Sequence, residues 1–201
     1  VVDRLTASTA FGLVHRLGHH GAVRPARVAV CERSDLALAS VIARRGADAA
    51  LTSKVREAFG IELPMLPRRS AAGGVAFVWA GPGHWLATCE GEAGHRFEAR
   101  LRTALAGLAS ISDQSDGRAV LRITGSCARD TLAKGLPVDL DPSVMQPGAA
   151  LVSAIAHIGV HLWQLDATPT YDCAISRSHA QSFWHWLEAS AAEYGLTVAP
   201  E

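Results

Sequence analysis

Lysine is nearly missing from this sequence: Lys54 and Lys134 are the two among 201 residues, and arginine supplies the rest of the positive charge. That bias excludes nothing by itself, but the missing net charge does. Lys+Arg and Asp+Glu number 19 each and no basic run stands out, so there is no electrostatic footprint for nucleic acid or an anionic membrane as the main partner. The four cysteines, Cys31, Cys89, Cys127 and Cys173, form no C-x-x-C pair. A zinc knuckle or a redox dithiol is therefore not expected, and reduced thiols of a cytoplasmic protein are. No stretch approaches the ~18 apolar residues of a membrane span, and "VVDRLTASTAFGLVHRLGHHG" (1–21) has no sustained apolar core behind a basic end. Phosphate-binding glycine loops are missing too. "GPGHWL" (81–86) has Leu86 where a third glycine belongs, and no G-x-x-x-x-G-K-[ST] occurs, so Gly81, Pro82 and Gly83 read as a turn between strands.

What is present is an ordinary apolar content, 49% of the chain, enough for a packed core without staples. Residues 1–26 show no period and read as an extended arm. "RVAVCE" (27–32) alternates as a strand, and 35–60 reads as helix in two parts broken near Gly46, the second ending at Gly60. "GGVAFVWAG" (73–81) and "HWLATCE" (84–90) read as strands paired across the Gly81–Gly83 turn, and Phe97, Leu101, Leu105 and Leu108 follow at helical spacing. After the polar loop 112–117 a similar order returns. It comprises a strand at 118–125, a short helix capped by Ser126, an alternating stretch over 149–165 and a strand over 170–176. A final helix starts at Ser178, with Gln181 completing a capping box. Two related βαββα(β) halves with antiparallel sheets are expected, an α+β fold with halves at 27–112 and 113–201.

No nucleophile, base and oxyanion site assemble along the chain. His15, His19 and His20 have metal-like spacing but read as a solvated, mobile arm, and His157, His161, His179 and His185 read as packing groups. Ser126 and Cys127 lack a G-x-S-x-G elbow. Asp139, Asp141 and Asp166 sit where turns need acceptors, and Arg122, Arg129 and Arg177 are expected in ion pairs. The aromatics differ. Five tryptophans, Trp79, Trp85, Trp163, Trp184 and Trp186, are many for this length, and tryptophan is favoured in interfaces. The helix from Ser178 has two apolar stripes. His179, Phe183, Trp186 and Ser190 form one, while Ala180, Trp184, Leu187 and Ala191 form the other. That arc is wider than one sheet face needs, so a second cover is expected, and at least one of Phe183, Trp184 and Trp186 should be exposed.

The runs "DGRAVLRITGSCARDTLAKGLPVDLDP", "AHIGVHLWQ" and "YDCAISRSHAQSFWHWL", with "FGIELP" and "WAGPGHWLA" upstream, resemble the gamma subunit of heterotetrameric sarcosine oxidase. The likeness runs from about Lys54 to Leu187. It departs from that family's pattern at Asp141, Gln164, His179 and Gly83–His84. The resemblance implies a fold like the folate-binding domain of the glycine-cleavage aminomethyltransferases. It also implies partner alpha and beta subunits that hold FAD, FMN, NAD, tetrahydrofolate and the amine oxidation, and a delta subunit that holds zinc. The gamma subunit would carry no cofactor or catalytic residue and would serve assembly, with Trp163, His179, Phe183, Trp184 and Trp186 at the subunit interface. A free-standing folate-binding or aminomethyltransferase-like protein is the rival reading, and a homodimer of the isolated chain a third.

Overall fold

The computed structural model describes residues 8–12 and 14–200. In chain order the elements are β1 (Gly18–His20), β2 (Val28–Glu32), β3 (Leu36–Ala43), α1 (Asp48–Phe59), β4 (Arg69–Ala72), β5 (Val75–Gly81), β6 (His84–Glu90), α2 (Gly94–Ala104) and β7 (Ala109–Asp113). Then come β8 (Arg118–Thr124), α3 (Ala128–Ala133), β9 (Ala150–Ile155), β10 (Ile158–Asp166), β11 (Thr170–Ser176), a 3-10 turn (Arg177–His179), α4 (Ala180–Ala191) and β12 (Leu196–Val198). They build a five-stranded sheet, β4-β5-β6-β3-β7, and a seven-stranded sheet, β1-β12-β2-β8-β11-β10-β9. Each contains the same unit, βαβββαβ, with its strands in the same spatial order: second, third, fourth, first, fifth. In the larger sheet β2 is inserted between the first and fifth strands of the unit, and β1 is added outside. All pairings are antiparallel except β2 with β12, which is parallel.

The α+β class and the doubled plan agree with the sequence reading, and three details correct it. Residues 36–43, expected as helix, are β3. Leu36 and Leu38 face one side while Ala37, Ala39 and Val41 face the other, and all five are buried. A strand covered on both faces shows no apolar–polar alternation, and leucine and alanine then mimic a helix. Val28–Glu32, expected in the first half, lies in the larger sheet beside β8. The arm is not merely extended, since Gly18–His20 pairs with Leu196–Val198 as an edge strand.

The core lies in three layers set by strand alternation. On the outer face of the smaller sheet, Leu51 and Val55 of α1 and Phe97 and Leu101 of α2 pack against Val41, Phe77, Trp85 and Ala87. On the outer face of the larger sheet, Leu132 of α3 and Phe183, Trp184 and Leu187 of α4 pack against Leu121, Ile123, Leu162 and Ile175. The inner faces meet through Leu36, Leu38, Val78, Leu86, Val120, Trp163 and Ala174. The result is helices, sheet, sheet, helices. β9 and β10 are joined by a two-residue turn, Ala156 (φ 46°) and His157 (φ 71°), a left-handed geometry usually supplied by Asn-Gly. Ala-His carries no such turn signal, so the alternating stretch concealed a hairpin.

Helix α4 begins where expected but without its cap. Among the described residues neither Ser178 nor any other side chain bonds its first N–H groups, and a 3-10 turn leads into it instead. The same holds at α3, where Ser126 makes no cap and Cys127 occupies that position.

The candidate functional site: a charged seam and an apolar rim

Three of the five residues expected at an interface serve the protein's own core. Trp163 is 1% exposed between the sheets, and Phe183 and Trp184 are 0% and 2% exposed under α4. His179 is exposed and Trp186 half-buried. Trp186 lies over Gly135, whose missing side chain makes room for the indole. It borders a groove of about 430 Å³ that also touches Pro137, Ala154, Ala156 and His157. The second cover that the wide arc of α4 calls for is the arm. The ring of His15 stacks on Phe11 and meets Trp184 edge-on at 5.4 Å, and His20 also meets Trp184 edge-on, at 5.8 Å. His20 Nδ1 also lies 3.0 Å from Glu188 Oε1. These imidazoles are therefore packing groups and not a mobile, solvated set, because each flat ring covers apolar indole surface while keeping polar atoms. Among the described residues no three metal-ligating side chains gather.

The aspartates do turn work as expected. Asp139 Oδ1 accepts from the Asp141 N–H at 2.8 Å, Asp141 Oδ1 from the Ser143 N–H at 2.8 Å, and Asp166 Oδ1 from the Thr168 N–H at 3.0 Å. The Ser143 and Thr168 bonds help hold the Asp141 and Asp166 carboxyls below the usual carboxylate range. The arginines are less ordinary. Arg122 on β8 stands directly opposite Asp172 on β11 and donates through Nε and Nη2 to its two oxygens at 2.7 and 2.8 Å. Asp172 is 2% exposed and Arg122 half-buried, so this bidentate pair is anchored on a carboxylate buried between the sheets. Arg33, in the crossing from β2 to β3, donates to both oxygens of Asp35 at 2.7 Å and to Glu90 Oε1 at 3.1 Å. Its Nη1 stands 3.9 Å from Asp172 Oδ2. One guanidinium thus bridges the larger sheet, through Asp172, and the smaller, through Glu90. Hydrogen bonding to Asp35 raises the Arg33 pKa against the opposing effect of burial, and Asp172 does the same for Arg122.

Two further arginines on the seam have no carboxylate among the described residues bonded to them. Arg118 Nη1 lies 3.2 Å from His161 Nδ1. Arginine only donates, so Nδ1 accepts and the imidazole is neutral. Burial, reinforced by Arg118, pushes the His161 pKa down to about 4. Arg69 on β4 pairs in register with Val78, an inner-face residue, and its Nε is buried without a partner. Burial lowers its pKa, and only the more distant Asp172 and Glu90 oppose that. Arg69 and Arg122 line a cavity of about 330 Å³ with Thr88, Glu90, Trp163 and Asp172.

Sequence reasoning missed this seam because partners 43 to 139 residues apart give no local signal. It also missed an apolar rim. Met65, Leu66, Val144 and Val152 are 46–68% exposed. The 65–68 loop is tied to the start of β9, where the Ala150 N–H donates to Pro67 O at 3.0 Å and Arg68 bridges to Ala149. The "PMLP" run (64–67), apolar residues between prolines, was the available sign.

The doubled βαβββαβ unit is the architecture of the aminomethyltransferase type. The chain superposes on glycine cleavage system aminomethyltransferase T from Bartonella henselae with a TM-score of 0.62 at 12% identity, over 87% of this chain and 48% of that one, a likeness of fold alone. The chain belongs to the sarcosine oxidase gamma subunit family, whose model matches residues 44–193. It is 35% identical over 132 residues to the sarcosine oxidase subunit gamma of Arthrobacter sp., and 30% identical over 122 residues to that of Corynebacterium sp. strain P-1. These matches cover 64% and 60% of this chain and 63% and 59% of the relatives. In structure it resembles a chain of heterotetrameric sarcosine oxidase from Corynebacterium sp. U-96, with TM-score 0.75 and 26% identity over 86% of this chain and 88% of that one.

Proposed function

We propose that this chain is the non-catalytic gamma subunit of a heterotetrameric, flavin-dependent sarcosine oxidase and acts in its assembly. The observation that carries the reading is the family membership together with the close likeness to a chain of a heterotetrameric sarcosine oxidase. In this reading alpha and beta subunits hold FAD, FMN, NAD and tetrahydrofolate, and a delta subunit holds zinc. The complex oxidises the C–N bond of sarcosine to an imine, and the methyl carbon passes to tetrahydrofolate or leaves as formaldehyde. The inner cavity of this chain does not fit the folate implied by its fold. A pterin's amidine edge needs a free buried carboxylate, whereas Asp172 has both oxygens held by Arg122 and Glu90, the other carboxylate of the cavity, is bonded to Arg33 and more than half exposed. The surfaces offered to partners are the apolar rim and the Trp186 groove, since exposed apolar patches mark contact sites.

The test is purification of the tagged chain from its native host. Co-elution of larger subunits with flavin absorbance and sarcosine-dependent oxidation supports the reading. The chain alone should be colourless and inactive. A yellow, active single chain, or a chain that elutes alone, overturns it.

A further inference from the structure

We infer that the cavity between the two sheets is a binding site for a small monocarboxylate, held by the guanidinium of Arg69. The inference is independent of the oxidase reading, because it concerns only this chain's own side chains. The cations around the cavity are Arg33, Arg69 and Arg122, and the anions Asp35, Glu90 and Asp172. Arg122 is taken up by Asp172 and Arg33 by Asp35 and Glu90. Arg69 alone makes no side-chain hydrogen bond or ion pair among the described residues, and its Nε is buried. Arg69 is half-buried; an Nε–H withdrawn from water without an acceptor is costly, and a carboxylate meets the planar fork with two parallel charge-assisted bonds.

The rest of the cavity narrows the ligand. Thr88, 4% exposed, brings a hydroxyl to the wall, and Trp163 an indole. Glu90 and Asp172 stand on the same walls as Arg69, so a dianion such as phosphate would set its second charge against two carboxylates. A single negative charge with a neutral or cationic remainder, as in acetate or glycine, meets Arg69 without that repulsion. A second space of about 240 Å³, lined by Ala71, Ala72 and Gly73, shares Arg69, Gly74 and Glu90 with the cavity, and the ligand would enter along it.

Calorimetric titration of the full chain with acetate, glycine and inorganic phosphate tests the site. Saturable binding of acetate or glycine, at least ~10-fold weaker in Arg69→Gln, is the expected result. Phosphate should not compete. Arg69→Gln should melt no lower than the wild type in the absence of carboxylate, and Arg69→Lys, which keeps the charge without the fork, should fold and bind more weakly than the wild type. Absence of saturable binding, binding unchanged in Arg69→Gln, or phosphate binding as tightly as acetate overturns the site. So does unfolding of both variants by circular dichroism, which would make Arg69 a structural cation.

Discussion

The two faces of the seven-stranded sheet are made by the same strands from alternate residues, yet they are different materials. The outer face shows Leu121, Ile123, Val160, Leu162, Cys173 and Ile175 to α3, α4 and the arm. The inner face shows Arg118, Arg122, His161 and Asp172 beside Val120, Trp163 and Ala174. The first is held by area removed from water and tolerates no gap. The second is held by geometry, since each buried charge is tolerable only while its partner stays in place. An assembly of two sheets thus uses non-directional burial to attach its helices and directional pairing to set one half against the other.

Truncation on the outer face should have the largest effect. Phe183→Ala leaves a cavity under α4 where the ring is fully buried and should cost ~3–5 kcal/mol in chemical denaturation. Trp184→Ala should do the same and also release the arm, read as new proteolytic cleavage near residues 15–20. On the inner face, Asp172→Asn strips Arg122 of its bidentate acceptor and should cost ~2–3 kcal/mol. Replacing both partners, Arg122→Met with Asp172→Leu, should recover most of that loss, because a buried pair owes much of its apparent worth to the penalty of breaking it. If the double variant is as unstable as the single one, the contrast between the faces fails.

His161 gives the inner face a pH signature. Its folded pKa of about 4 lies below the ordinary 6.5, so the folded state binds fewer protons than the unfolded one. The contribution is fully present above pH ~6.5 and is lost as pH falls toward about 4, an effect of ~3 kcal/mol. His161→Gln, which keeps an acceptor for Arg118, should flatten the difference in denaturation midpoint between those limits. The smallest effect on folding belongs to the rim. Leu66→Ser should change stability by no more than ~0.5 kcal/mol while reducing capture of partner subunits, whereas an unaltered capture would place the docking surface elsewhere.

The contrast between the faces also explains what was legible. Leu101, Leu105 and Phe97, or Ile158, Val160 and Leu162, report their face through spacing alone, so the helices and most strands were readable. β3 was not, because burial on both sides erased its alternation, and the β9–β10 turn was not, because Ala156 and His157 are unusual residues for it. Of the expected interface only His179 and Trp186 keep any exposure. A tryptophan's sequence does not say whether its cover is another subunit or, as for Trp184, the chain's own first residues. The seam was invisible because Arg33, Glu90, Arg122 and Asp172 are brought together only by the register of distant strands.

The placement of β12 carries a consequence for the order in which the protein takes shape. It lies between β1 and β2, pairing Gly18 with Val198 and Val28 with Leu196, so two strands at residues 18–32 wait for one made more than 160 residues later. The smaller sheet, whose strands all fall between residues 69 and 113 apart from β3 at 36–43, has every neighbour in place before β8 to β12 are made. The larger sheet closes last, by insertion and not by addition at an edge. Loop closure over such a separation is slow, and until it happens the unpaired sides of β1 and β2 are open to strands of other chains. Expression at low temperature or with chaperones should therefore raise the soluble yield of this chain more than its finished stability would suggest.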